Sequence, residues 1–522
     1  MDFSKCVLGI ELGTTRIKAV LLDETLKTVG TGAFEWENHL VNNVFTYPME
    51  EVHAGVRACY AALKNDVLQK TGERIRVLGG IGVSAMMHGY LPLDRDGVPL
   101  TEFRTWRNTM TEEASNALSQ LFDYNIPQRW GIAHLYQAIL RKEAHVPAIA
   151  HLTSLPIYVT RKLSGSVAVG LGEASGLFPI DFQTKQYDRG MVEAFDELIR
   201  PYGFPWKILD LLPEPLPAGS VAGTLTEEGA RFLDPSGDLQ PGIPIAPAEG
   251  DADTGLVATN TIRPGTGNVS AGTSIFTLLV LDREVRSHSE VCLLSTPDGH
   301  PVAMAHGSNC TSDLNAWISL FHEFSVLSGN PLPKEEIYPI VFREAMKGDP
   351  DCGGLLSYNY FSGENVTHLN EGRPAFLRTE DARFTLANFM RTHLFSAFAT
   401  MRIALDVLTR DENVTIRRLV AHGGIFKTPL VAQKLLSAAV GAVISVYPTA
   451  GEGGAYGMAL LTAYMARRET MPFPDFLDRY AFSDVETLDL CASPEEMEGF
   501  ERFLARYKRA FPVEKTAVEL VK

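Results

Sequence analysis

The sequence predicts an α/β protein of two related domains that face each other across a cleft. Three observations carry this. The chain has 522 residues, too many for one hydrophobic core. Short strand-forming runs alternate with longer amphipathic ones, as in α/β folds. A strand, a Gly-Thr-Thr or Gly-Thr-Ser turn and a second strand occur at Gly13 and again at Gly272, half a chain length apart.

In chain order, "CVLGIEL" and "IKAVLLD" read as strands and "TVGTGAFEW" as a third. "MEEVHAGVRACYAALKNDVLQKTG" spaces Val52, Val56, Tyr60 and Leu63 at three- and four-residue steps, which predicts an amphipathic helix. "IRVLGGIGVSAMM" is a nearly continuous apolar run, the pattern of a strand buried on both faces. Segments 110–165 and 186–205 read as mostly helical. A Pro- and Gly-rich stretch from Pro215 to Pro247 ends in a short strand before "AEGDADTG". The domain boundary is placed just beyond, giving 1–254 and 255–522. The second half restarts in the same style with "GTGNVSAGTSIFTLLVLD", and a long helix follows in "DARFTLANFMRTHLFSAFATMRIALDVL". "RRLVAHGGIFKTPLVAQKLLSAAVGAVISVYPTAGEGGAYGMALLTAYM" reads as strand, Gly-Gly turn, helix, strand, Gly/Glu loop and an Ala- and Gly-rich helix. From about residue 466 a helical extension closes the chain, with Ser493 placed to cap its last helix.

Composition narrows the class. The chain is 45% hydrophobic and 21% charged, the balance of a soluble globular protein. No stretch approaches the roughly 18 uncharged apolar residues of a spanning helix, so no membrane partner is expected. Asp2 and Lys5 lead straight into a strand, so no secretory signal is visible and a cytoplasmic location is the default. Six scattered cysteines without a Cys-x-x-Cys pair argue against a disulfide scaffold or a zinc cluster. A net charge of −16 disfavours nucleic acid as a partner, yet backbone amides and one or two local cations can still hold a phosphate.

The turns offer that chemistry. Gly13 lets backbone approach a ligand, Thr14 and Thr15 add hydroxyls, and Lys18 supplies a mobile charge. An ordinary hairpin with a surface lysine is the competing account. Gly272, Thr273 and Ser274 repeat the set, so the two turns together would grip successive phosphates of a nucleotide. Gly423 and Gly424 lie between strand and helix, where a flat ring such as adenine can rest on backbone, although such a turn also serves as a plain connection. Asp251 after Gly250 is a candidate general base for phosphoryl transfer, with Asp253 a close competitor and a capped turn the plainer alternative. Met87 and His88 end a buried strand, and Trp106, Arg107 and Asn108 place an aromatic beside hydrogen-bonding groups, a combination that suits a polyol. For Arg107 an ion-paired structural role competes.

Taken in order, these segments resemble the FGGY carbohydrate kinase family of the actin, sugar kinase and heat-shock chaperone superfamily. "GIELGTTRIKAVLLD" looks like its first phosphate motif, and "VSAMMHGYLPLDRDGVPL" like the Met-His-Gly segment of xylulokinase-like members. "TWRN" is similar to their Trp-Asn-Asp stretch, and "PIAPAEGDADTGLVATNTIRPGTGNVSAGTS" to the run from catalytic Asp to second phosphate loop. "LVAHGGIFKTPLVAQKLLSAAVGAVISV" and "GEGGAYGMALLTAYM" match the adenosine motif and closing helix. The resemblance covers about residues 7 to 465. It implies two actin-like (ribonuclease H-like) domains with mixed sheets flanked by helices, and ATP-dependent phosphorylation of a small sugar, a 2-ketose such as xylulose or ribulose first. It assigns Asp251 as the base, and Gly13, Thr14, Thr15, Lys18, Gly272, Thr273 and Ser274 to the phosphates. Gly307, Gly423, Gly424 and Thr428 fall near the nucleotide, and Met87, His88, Trp106 and Asn108 face the substrate.

Mg²⁺ is implied as well, with Glu11 as its residue. Glu11 stands where members usually carry Asp, Ala248-Glu249 replace a Gly-Gly, and Trp106-Arg107-Asn108 replace Trp-Asn-Asp. These departures imply a specificity unlike that of standard xylulokinases, and Glu11 leaves open a kinase-like ATPase or sugar-responsive regulator; an actin- or chaperone-type scaffold is a more distant alternative. A homodimer is consistent with the family, though no interface is legible.

Overall fold

The computed structural model describes residues 1–447 and 453–522. The opening run folds as strands β1 (Val7–Leu12) and β2 (Arg16–Leu22), antiparallel, with β3 (Thr28–Glu35) beside β2. A small hairpin that the sequence did not advertise, His39–Val41 with Val44–Thr46, precedes helix α1 (Met49–Thr71). The helix packs on β3 and buries Val52, Val56, Tyr60 and Leu63, the stripe its spacing predicted. The apolar run after it is strand only over β4 (Gly80–Ala85), shorter than expected, but all six residues are buried, as a strand covered on both faces requires. It lies parallel to β1.

Helices α2 (Glu112–Phe122), α3 (Gly131–Leu140), α4 (Leu155–Ser164) and α5 (Leu171–Leu177) follow. Short strands β5 (Gly223–Thr224), β6 (Pro244–Ile245) and β7 (Glu249–Gly250) complete the first sheet, whose order is β5–β6–β4–β1–β2–β3 with β7 also paired to β4. Helix α6 (Asp251–Ala258) then leads to the second sheet.

That sheet contains β8 (Thr266–Ala271), β9 (Ile275–Val280), β10 (Val291–Ser295), β11 (Pro301–Gly307), β12 (Arg418–His422), β13 (Val443–Val446) and β14 (Leu488–Leu490). Its order is β10–β11–β9–β8–β12–β13–β14. The pairing scheme repeats that of the first sheet. A parallel neighbour flanks the leading strand (β4 on β1, β12 on β8), and two antiparallel strands follow on the other side. Strand β10 is an addition outside this scheme. Helices α7 (Ser312–Leu327), α8 (Leu386–Asp406), α9 (Val431–Val440) and α11 (Pro494–Leu520) flank the sheet, the last capped by Ser493.

Helix α10 (Gly453–Tyr464) follows β13 in sequence yet packs on β1, β4 and α6 of the first sheet. Its small residues explain how. A Cβ on Gly9 would lie 2.2 Å from the Ala455 carbonyl oxygen, and one on Gly457 would lie 2.0 Å from that of Thr254. Backbone therefore meets backbone, and larger side chains would force the helix away. The Gly/Glu loop expected before this helix lies, at 448–452, outside the described residues. No helix among the described residues is long and apolar enough to cross a membrane.

Candidate active site

The first Gly-Thr-Thr bend closes β1 on β2, with the Gly13 amide donating to Arg16 O at 3.0 Å. Its carbonyls are tied back to the protein. Trp36 donates from Nε1 to Gly13 O (2.8 Å) and from its amide to Thr15 O (3.3 Å), and the Tyr47 hydroxyl donates to Thr14 O (2.5 Å). The two rings pack on each other, centroids 4.3 Å apart. Among the described residues the Thr14 and Thr15 amides have no acceptor, so the bend turns donors outward while its acceptors are occupied, the polarity an anion needs.

The second bend is built the same way. Gly272 donates to Ser274 O (2.9 Å), the Thr311 amide and Oγ1 donate to Gly272 O (3.1 and 2.7 Å), and Cys310 donates to Thr273 O (2.9 Å). The Thr273 and Ser274 amides again have no acceptor among the described residues. The parallel register of β8 with β12 pairs Ser270 with His422, which sets Gly423 and Gly424 beside this bend. Gly423 has φ +120°, and a Cβ there would lie 2.1 Å from Ala271 O, so only glycine fits. A Cβ on Gly424 would meet nothing within 4 Å. Gly307 is buried opposite Ile275 at the same end of the sheet, and Thr428 is buried just past the Gly-Gly turn.

Asp251 opens α6 and takes the Met87 amide on Oδ1 at 3.0 Å. Burial pushes its carboxyl up to about 6, against the pull of amides from Met87, Ala252 and its own residue. Asp251 keeps some surface, whereas its competitor Asp253 is 1% exposed. Across β1, Glu11 pairs with Lys18, and the N-terminus of α10 abuts both. Burial and then the Asp251 charge push Glu11 up to about 7, while Lys18 and the amides of Ala455 and Gly454 draw it down. Behind Asp251 lie three more acids, Glu173, Glu249 and Asp253, all buried. The Glu173 amide donates to Glu249 at 3.0 Å. Burial above all holds each of these acids toward its neutral form, Glu249 up to about 8.

Of the residues that the resemblance assigns to the substrate, Met87 and His88 are each 4% exposed, and burial holds the His88 imidazole neutral. Trp106 is exposed, and Arg107 stacks 4.4 Å over the Phe45 ring without a carboxylate partner among the described residues. Asn108 is buried with its amide already committed: Oδ1 accepts from Phe45 N, and Nδ2 donates to Phe45 O and Thr105 O. Its side chain holds the 105–108 turn on the Val44–Thr46 strand.

Among the described residues, no group of three or more His, Cys, Asp or Glu side chains is arranged to hold a metal. Glu11 is close enough to Asp251 to feel its charge. That suits Mg²⁺, which takes one or two carboxylates and fills its shell with phosphate oxygens and water.

Sequence reasoning missed Trp36, Tyr47, Thr311 and Glu173. They act through contacts to residues distant in the chain, and nothing local marks them.

Two family models match the chain: the N-terminal domain of the FGGY family of carbohydrate kinases over residues 6–258, and its C-terminal domain over 267–466. A xylulose kinase of Haemophilus influenzae is 23% identical over 438 residues, spanning 80% of this chain and 82% of that protein. Among solved structures, a ligand-bound xylulose kinase and a gluconate kinase, both of Lactobacillus acidophilus, each superpose with TM-score 0.79 at 14% identity, covering 97% of this chain and 98% of theirs. The fold is thus that of the two-domain, actin-like sugar kinases, and it does not distinguish between their substrates.

Proposed function

The chain belongs to the FGGY family of carbohydrate kinases, phosphotransferases that act on sugars, and from that premise we propose that it moves the γ-phosphoryl group of ATP to a hydroxyl of a small sugar, first a 2-ketose such as xylulose or ribulose, with Asp251 as general base. The observation that carries the reading is the pair of bends, each with its carbonyls tied back and two amides without an acceptor among the described residues.

In this reading the amides and hydroxyls of Thr14, Thr15, Thr273 and Ser274, with Lys18, hold the phosphates. Gly307, Gly423, Gly424 and Thr428 border the adenosine. Met87, His88 and Trp106 border the sugar, with Asn108 bracing the turn that carries Trp106. The sugar hydroxyl oxygen forms the new bond to the γ-phosphorus as the bond to the β–γ bridging oxygen breaks, and ADP departs. The hydroxyl proton passes to Asp251, whose carboxyl at about 6 is ionised at neutral pH yet basic enough to accept it. Mg²⁺ would be held at Glu11 with Asp251 beside it, and supplies neutralisation of phosphate charge. The halves 1–254 and 255–522 act as the closing lobes, except that α10 belongs by packing to the first.

ADP release measured across ketoses and polyols tests this. The expected result is sugar-dependent release that falls on the order of 100-fold or more in Asp251→Asn. Release that ignores sugar and survives the substitution would replace the reading with an ATPase or sugar-responsive regulator.

A further inference from the structure

Arg129 lies in the loop between α2 and α3, and the roles above leave it unused. Its main chain is pinned to the substrate segment, the Gly89 amide donating to Arg129 O at 3.1 Å. Its guanidinium reaches the other way, to the second sheet. Nη2 lies 3.2 Å from Cys292 Sγ and 4.0 Å from Met304 Sδ, two residues directly opposite each other on β10 and β11. The side chain therefore bridges the sheets beside His88. Neighbouring contacts hold the loop there: Tyr124 donates to Leu293 O (3.2 Å), and Asn125 Nδ2 to Val291 O (2.8 Å).

Thiol and thioether sulfurs are weak acceptors, a poor match for a half-buried cation. The two buried arginines are answered by carboxylates, Arg104 by Glu143 and Arg391 by Glu496. Arg129 has no carboxylate at ion-pair distance among the described residues. Its Nε and Nη1 find no protein acceptor there, and they are not sealed from solvent. A half-buried guanidinium whose polar protein contacts among the described residues are to sulfur, with Nε and Nη1 open, has donors to spare for an anionic ligand group. The location says which part of the ligand. Met304 precedes Gly307, at the bend end of β11, by three residues, about 10 Å of strand. The guanidinium thus stands away from the phosphate-holding bends, on the His88 side.

We propose that Arg129 reads a carboxylate on the acceptor, so that the preferred substrate is an acidic polyol, a sugar acid, bound with its acid group remote from the hydroxyl that is phosphorylated. This rests on the kinase reading above and refines its acceptor from a neutral ketose. A carboxylate fits better than a phosphate monoester, because one guanidinium matches one charge bidentately, whereas a phosphate carries nearly two. Arg129 lowers the proton affinity of both His88 and His306, placing these imidazoles near it in neutral form.

The test compares kcat/KM for D-gluconate and D-xylonate with that for D-xylulose, D-ribulose, xylitol and xylulose 5-phosphate, using MgATP and the full chain. Wild type, Arg129→Gln and Arg129→Lys are each measured. The wild type is expected to favour the acids by more than about 10-fold. In Arg129→Gln the acid-to-neutral ratio should fall on the order of 100-fold, chiefly through KM, with partial recovery in Arg129→Lys, which keeps the charge but not the fork. Thermal stabilisation of the wild type by each sugar gives a second reading independent of whether the variants fold. Preference for neutral ketoses or for the sugar phosphate, or a ratio that Arg129→Gln leaves unmoved, overturns the inference while the kinase reading stands. Absence of sugar-dependent ADP release with every acceptor overturns both.

Discussion

Asp251→Asn separates the catalytic role proposed for this residue from its effect on stability, because the two should move in opposite directions. Burial raises the carboxyl from 3.8 to about 6. A shift of roughly two units at about 1.4 kcal/mol each sets an upper bound near 3 kcal/mol, which partial exposure reduces to about 1–2 kcal/mol. The sign follows from the order of ionisation. Below pH 3.8 both folded and unfolded chains hold the proton, so nothing is lost. Between 3.8 and about 6 the unfolded chain ionises first and stability falls as pH rises; above about 6 the whole penalty is present. Asparagine keeps the shape and can still accept the Met87 amide on Oδ1, but carries no charge. It also relieves Glu11, which the Asp251 charge helps push up to about 7.

The variant should therefore melt with the wild type near pH 4 and a few degrees above it at pH 7.5, on the scale of roughly 2–4 °C per kcal/mol. At the same pH its sugar-dependent turnover should fall by about 10²- to 10⁴-fold. Thermal unfolding from pH 4 to 8, with ADP release at pH 7.5, reads both effects. A variant less stable than wild type at pH 7.5, or a melting difference flat with pH, would refute the burial argument. Turnover retained within tenfold would refute the assignment of the base.

Three further outcomes follow from single contacts. Gly423→Ala puts a Cβ 2.1 Å from Ala271 O at φ +120°, so calorimetric ATP affinity should fall more than about tenfold with a loss of roughly 1–3 kcal/mol in stability; unchanged affinity would detach this turn from the nucleotide. Tyr47→Phe removes the 2.5 Å hydrogen bond to Thr14 O, worth about 1 kcal/mol, and should raise the KM for ATP about fivefold while leaving that for the sugar in place. Gly9→Ala forces β1 and α10 apart, the new Cβ lying 2.2 Å from Ala455 O. It should cost about 1–3 kcal/mol by denaturant unfolding, and an unchanged midpoint would mean that the helix does not pack as described.

Local features were legible in the sequence wherever the physics is local. The bend at Gly13 joins adjacent strands, so its residues and their pairing sit side by side in the chain. The α1 stripe shows in its spacing because one helix face meets one sheet. The run ending at Ala85 lacks polar alternation because both its faces are covered. What escaped notice depends on distant partners. Nothing near Asn108 reveals that Phe45 consumes its amide, and nothing near Glu173 reveals that it lies against Glu249. Asp251 and Asp253 look alike in sequence, and packing alone leaves the first with surface and buries the second. The hairpin over 39–46 was missed because a short two-stranded pairing leaves little periodicity, and β4 was drawn too long because an unbroken apolar run carries no mark of where pairing starts.

The amino-acid order by itself determined the doubled plan, the two glycine-hydroxyl bends and the acid at position 251, since each is a matter of backbone preference over a few residues. Tertiary structure alone decided that α10 crosses to the first sheet, that Trp36 and Tyr47 hold one bend open while Thr311 and Cys310 hold the other, and that Arg129 stands beside sulfurs. Hydrophobic periodicity records that a face is buried, but not what it is buried against. Only the folded chain fixes which distant groups meet, and those meetings set charge, exposure and proton affinity.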